Sequence, residues 1–229
     1  MNIYFILVEP KVAENIGASA RAIKTMGFNN LRLVNSENYL NNEAKWLAHG
    51  SVDILENAEV FSSFKESIKD LDFVIGTTAK QHKVKYDYYD SCNLLDLLLT
   101  KQKSVSRVGI IFGCEESGLK NSEIKRCDII STVALKNNYP SLNLSQAVMI
   151  YAYNLSQLTL NLNYIKQKKY ASDAGLQLKN KVIDILKEIE IGKNKNLNNR
   201  IMERLMLLCD EDIQLAHSIC NNLNKRLKI

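Results

Sequence analysis

The opening of this chain limits its possible folds more than any other stretch. Residues 3–8, IYFILV, form an unbroken apolar, β-prone run, the pattern of a strand covered on both faces. Pro10 follows closely, and proline cannot continue a central strand because it has no N–H to give the ladder. In residues 15–27, Ile16, Ala20 and Ile23 share one helical face, with Asn15 placed as N-cap and Gly27 as the residue after the last turn. Residues 31–34 read as a second strand. A β-α-β start commits the chain to an α/β fold: a parallel sheet with crossover helices on both faces.

The same alternation continues downstream. Strands are expected at 73–75, 108–112 and 129–135, with helices at 43–48, 61–70, 94–99 and 142–158 and a short one capped by Asn121 or Ser122. Open α/β sheets hold ligands in the loops at the carboxyl ends of their strands. Here those ends are unusual: GTTAK at 76–80, FGCEESGL at 112–119 and YPSLNLSQA at 139–147. Glycines, small hydroxyls, one carboxylate and amides suit a site that reads its ligand largely through backbone groups. No GxGxxG fingerprint is present, so a nicotinamide-binding fold is not supported.

Charge separates the chain into two parts. Residues 1–160 hold 17 Lys and Arg against 17 Asp and Glu, whereas residues 161–229 hold 13 against 8, so the net charge of +5 lies entirely in the tail. A basic appendage on a neutral body fits an anionic macromolecule, since phosphate contacts give sequence-independent affinity and steering; a solvated helical face fits it equally well. The texture also changes there. Residues 161–175 read as a linker, and residues 176–229 carry three narrow apolar stripes: Leu178, Val182, Ile185, Leu186, Ile189; Leu197, Ile201, Leu205, Leu208; and Ile213, Ala216, Ile219, Leu223, Leu227. A unit this small needs to pack on the body or on a second subunit. The expected domains are therefore 1–160 and 176–229.

Two further stretches carry candidate chemistry. Arg21 lies one turn from Gly17, so its guanidinium stands beside a position with no side chain, leaving room for a ligand or a partner backbone; a plain surface arginine is the competing reading. Residues 81–90 read as a loop mixing Lys83 and Lys85 with Tyr86, Tyr88 and Tyr89, a mixture that suits stacked bases and phosphates as well as a plain surface loop. The five cysteines are odd in number and make no C-x-x-C pair, and no histidine stands at metal-ligand spacing from them. Reduced thiols and no metal are expected. No apolar run approaches the roughly 18 residues of a membrane span, which points to a cytoplasmic protein without a membrane partner.

With these residues assembled, the chain resembles the SPOUT superfamily of knotted RNA methyltransferases, in its SpoU/TrmH class. Three motifs carry the resemblance in order: Asn15-x-Gly17-x-x-x-Arg21 with Met26-Gly27; Phe112-Gly113-x-Glu115-x-x-Gly118-Leu119; and Ser141-Leu142-Asn143-Leu144-Ser145-x-Ala147. The helical tail is most similar to the TrmJ type, which methylates the ribose of nucleotide 32 in the tRNA anticodon loop. The resemblance implies a C-terminal trefoil knot and S-adenosylmethionine as cofactor. It also implies tRNA as partner, no DNA, and a homodimer in which Arg21 of one subunit completes the site of the other.

Carried over position by position, the cofactor would be held by Thr78, Ala79, Lys80 and Gly113, with Val133, Pro140, Ser141 and Leu142. Arg21, Asn15, Glu115, Ser141 and Asn143 would serve catalysis. Arg21 would hold an RNA phosphate, Asn15 would orient Arg21 or the ribose, and Glu115 would fix a loop. Ser141 and Asn143 would touch cofactor or nucleotide, or Asn143 would cap a helix. Cys114 departs from the pattern, since relatives commonly place arginine or proline there. Another tRNA or rRNA ribose, or RNA binding without catalysis, are the alternatives that the resemblance leaves open.

Overall fold

A computed structural model of the chain describes residues 1–37, 39–79, 88–136, 141–160, 174–189, 191 and 194–227. The chain divides into two compact units, Met1–Leu95 with Arg107–Gln167, and Asp96–Ser106 with Lys168–Ile229.

The sheet of the first unit contains β1 (Asn2–Val8), β2 (Asn30–Val34), β3 (Glu59–Phe61), β4 (Phe73–Thr77), β5 (Tyr88–Asp90), β6 (Arg107–Phe112) and β7 (Ile129–Thr132). Their order is β3-β2-β1-β6-β4-β7-β5, and all pairs are parallel. Around it lie α1 (Ala13–Thr25), α2 (Asn42–Ala48), α3 (Val52–Glu56), α4 (Phe64–Ser67), α6 (Asn121–Ile124), α7 (Leu144–Leu155) and α8 (Gln157–Leu160), while α5 (Leu94–Thr100) carries the chain from this unit into the second. β1 sits between β2 and β6, and its Phe5, Ile6 and Leu7 are fully buried; each contributes roughly 1.5–3 kcal/mol. Phe112 stacks on Phe5 at 6.3 Å and meets the Tyr151 ring edge-on at 5.5 Å, joining the sheet to α7.

Chain direction across the sheet reverses beside β1: β2 and β3 build one side, and β4 through β7 build the other. A crevice at such a switch point, beyond the carboxyl ends of the strands, is where an open α/β sheet binds ligands. The ends of β4, β6 and β7 all open there.

Several elements differ from the sequence reading for local reasons. β3 occupies Glu59–Phe61, where a helix was expected to begin; Ser63 then caps the short α4, its Oγ accepting from Glu66 N at 3.3 Å. Tyr88–Asp90 forms an edge strand on β7 instead of loop, while residues 81–87 lie outside the described residues. Three-residue strands are too short to show a period. The expected caps Asn121 and Ser122 are inside α6, and Glu123 Oε2 accepts from Lys120 N at 2.7 Å instead. β7 ends at Thr132 and α7 at Leu155, each earlier than expected.

The second unit contains α9 (Ala174–Glu188), α10 (Lys195–Leu205) and α11 (Asp210–Leu227). Leu178, Ile185, Ile213 and Cys220 form its core, with Val182, Leu205, Leu208 and Ala216 packed against them. Lys101 is buried here, its ammonium donating to Leu208 O at 2.8 Å. Lys103 N donates to Asp210 Oδ2 at 2.8 Å. Residues 96–106, which the sequence reading assigned to the first domain, thus belong to this unit. Among the described residues, no helix is long and apolar enough to cross a membrane.

Candidate active site

A cavity of about 500 Å³ opens where the ends of β4, β6 and β7 meet the start of α7. That volume falls in the usual small-molecule range of roughly 300–1,000 Å³. Thr78 and Ala79 from the β4 end, Gly113 from the β6 end, Val133 after β7, and Ser141 and Leu142 before α7 all line it. Lys80 and Pro140, the other two expected cofactor residues, lie outside the described residues. Thr77 Oγ1 donates to Ile111 O at 2.8 Å and Thr78 N to Ser131 O at 3.0 Å, so two of the strand ends are tied across the ladder.

The loop at 113–118 folds back on itself. Gly118 N donates to Cys114 O at 2.8 Å, and Gly118 takes φ +68°, the left-handed conformation that favours glycine. A Cβ on Gly113 would run into the backbone of Gly118 and Leu119. Glycine at 113 therefore serves loop closure as well as access to the cavity. Beyond the loop, Lys120 pairs with Glu9 at 2.7 Å, and this ammonium holds the Glu9 carboxyl below its ordinary value. The pair ties the end of β1 to the same loop.

The three motifs meet in one hydrogen-bonded chain. The Glu115 carboxylate accepts from Lys11 N at 2.9 Å, Val12 N at 3.2 Å and Asn15 Nδ2 at 3.0 Å. Asn15 Oδ1 in turn accepts from Asn143 Nδ2 at 2.8 Å. Asn143 Oδ1 accepts from Ser145 N and Oγ at 2.9 and 2.8 Å, and Gln146 closes a capping box on Asn143 N. Burial raises the Glu115 pKa, but the donors from Asn15, Lys11 and Val12 outweigh it and hold the carboxyl below its ordinary value.

This corrects one sequence expectation and sharpens two. Asn15 is not the cap of α1; the cap position is Val12, which offers no side-chain bond, and Asn15 lies within the helix, buried and turned to the motif chain. Glu115 supplies a carboxylate at the helix start from 100 residues away in sequence, where an anion also suits the helix dipole. Asn143 both caps α7 and links motifs. Asn15, Glu115, Ser141 and Asn143 all line the cavity.

Arg21 does not. It is exposed on α1 and lies outside the cavity wall of its own chain. The room expected beside it at Gly17 is also taken, because a Cβ there would meet the carbonyl of Ala44. Gly17 thus allows close packing of α1 on α2. Tyr151 is a cavity residue that sequence reasoning missed. It is fully buried, and its hydroxyl donates to Ser131 Oγ at 3.0 Å while Ser131 donates to Tyr89 O at 2.9 Å. The expected helix over 142–158 includes position 151 but says nothing of its hydroxyl's partner.

A parallel α/β sheet with a glycine- and hydroxyl-lined cavity at its switch point, and three motifs bonded together at the rim, is the arrangement of a ligand-binding α/β enzyme. The chain belongs to the SpoU rRNA Methylase family, which it matches over residues 2–153, and residues 176–227 match the C-terminal domain of the tRNA/rRNA methyltransferase LasT. It is 40% identical to an uncharacterized tRNA/rRNA methyltransferase LasT of Escherichia coli K12, over 99% of each protein. It is 34% identical to a tRNA (cytidine-2′-O-)-methyltransferase TrmJ of Methanocaldococcus jannaschii, over 88% of this chain and 89% of the other. The crystal structure of TrmJ from Z. mobilis ZM4 superposes with a TM-score of 0.66 at 25% identity, covering 98% of this chain and all of that one.

Proposed function

We propose that this protein transfers a methyl group from S-adenosylmethionine to a ribose 2′-hydroxyl of tRNA, at nucleotide 32 of the anticodon loop, on cytidine, uridine or both. The observation that carries the reading is the bonded chain Glu115–Asn15–Asn143, which gathers three distant motifs at one cavity. The name of the Methanocaldococcus relative supports tRNA and the 2′-hydroxyl. Nucleotide 32 follows from the likeness to the TrmJ type.

The residues present fit the cofactor. Thr78, Ala79, Gly113, Ser141 and Leu142 offer small side chains and backbone groups around a cavity of suitable volume, and they would hold it. The bound cofactor supplies an electrophilic methyl group. The ribose oxygen must be held in line and its developing negative charge stabilised. Arg21 does this while holding the adjacent phosphate; a guanidinium offers donors and no acceptor, so the proton passes to phosphate or water. Glu115 and Asn15 are positioning residues that fix the start of α1, the helix that carries Arg21.

The reading includes a homodimer. Arg21 stands outside its own cavity, which supports its use across a subunit interface, and Trp46 and Tyr153 are 80% and 66% exposed on the same unit. The reading also includes a trefoil knot, which rests on the membership of the SpoU family. In this reading residues 1–95 and 107–160 make up the catalytic domain, and residues 176–229 with 96–106 an appended module. The test is transfer of labelled methyl to tRNA: Arg21→Ala should lose at least about 100-fold in rate with cofactor binding and dimerisation near normal. Loss of cofactor binding in that variant would contradict the role given to Arg21.

A further inference from the structure

Helix α11 spends only one face on the core of its unit. Ile213 and Cys220 are buried there, with Ala216 packed beside them. Flanking that face, Leu215, Ile219 and Leu223 are 65%, 62% and 40% exposed. These three recur every fourth residue, so they form one row about 12 Å long. A continuous aliphatic row differs from the single exposed leucines that surfaces carry at no consequence.

The ends of the row say what covers it. Asp212 and Arg226 are both exposed and lie in line with the row, the acid one turn before Leu215 and the base one turn after Leu223. Two copies of α11 placed antiparallel about Ile219 bring Leu215 of each against Leu223 of the other, and Asp212 of each against Arg226 of the other; Ile219 meets its own counterpart. A parallel pairing sets like charges side by side, and an RNA phosphate backbone has no use for an aliphatic row with an acid at its end. Antiparallel packing also opposes the helix dipoles favourably. Residue i facing j while j faces i is the signature of an isologous twofold contact.

We propose that α11 is a self-association surface, pairing antiparallel with α11 of a second copy of this chain. Its three turns cover less than the roughly 1,200 Å² of a stable independent interface, so it adds to another contact between the copies and strengthens it through effective concentration. The inference uses nothing of the reaction, so its failure would leave the methyltransferase reading standing, and methyl transfer measured in parallel separates the two.

The test is cysteine crosslinking of the full-length protein with a short bismaleimide, against the background of the native cysteines. Ile219→Cys should crosslink to itself well above that background. Gln214→Cys, exposed on the far side of the helix, should not. Asp212→Arg in the Ile219→Cys protein should lower the yield, and adding Arg226→Asp should restore it, with helical circular dichroism unchanged throughout. Crosslinking of Ile219→Cys no greater than background, equal crosslinking at 214 and 219, or no response to the charge swaps would each overturn the proposal.

Discussion

Replacing Glu115 with glutamine tests whether one carboxylate holds the site together. Its oxygens accept from Lys11 N at 2.9 Å, Val12 N at 3.2 Å and Asn15 Nδ2 at 3.0 Å. A hydrogen bond to a charged group contributes about 1.5–3 kcal/mol when buried and less where water competes; two of these donors are exposed, so the three together contribute about 3 kcal/mol. Glutamine keeps one acceptor oxygen and turns an N–H₂ toward a backbone donor. The expected loss is about 1–2 kcal/mol, or a fall of about 2–8 °C in the melting of the unit that contains it. The carboxyl is held below its ordinary 4.5, so its contribution is fully present above that value and disappears as pH falls through the lower folded value. The difference between the two proteins should therefore be full at pH 7 and shrink below about pH 4.5. Thermal melts across that range, followed by a probe in the first unit, measure it. Equal melting at pH 7, or a gap that survives acidification, would refute the role given to Glu115.

Other perturbations probe other parts of the molecule. Gly113→Ala should strain the 113–118 loop against the Gly118 and Leu119 backbone, at about 1–3 kcal/mol, and weaken S-adenosylmethionine binding in a calorimetric titration. Tyr151→Phe removes the donor to Ser131 Oγ and should lower stability by about 1 kcal/mol, seen as a shift in the denaturant midpoint. Replacing the exposed Lys195 and Lys225 by alanine should weaken tRNA binding and flatten its dependence on log salt by roughly 0.7–0.9 for each phosphate no longer neutralised; an unchanged slope would remove the second unit from the RNA interface.

Residues differ in how far their local sequence reveals their role. The cavity loops were legible because glycine, threonine and serine at strand ends have few other uses, and the ends of β4 and β6 and the start of α7 all line the cavity; which residues hold the cofactor came only from the family resemblance. The run at 3–8 was legible because burial on both faces leaves no polar residue in its middle. Asn15 was misread because asparagine is a good cap by local rules, whereas the carboxylate at the start of α1 comes from Glu115, which only the fold brings near. Gly17 was read as room for a ligand, and only the packing of α2 shows that Ala44 fills it. Residues 96–106 were assigned to the first domain because nothing local announces that Lys101 reaches the carbonyl of Leu208.

The most direct test of the central claim is mass-spectrometric mapping of ribose methylation on tRNA after incubation with this protein and S-adenosylmethionine. One new 2′-O-methyl group is expected, at nucleotide 32 of the anticodon loop, absent when Arg21 is alanine. Methylation on a base, or no ribose methylation of any tRNA or rRNA under conditions where the cofactor binds, would contradict the proposed function.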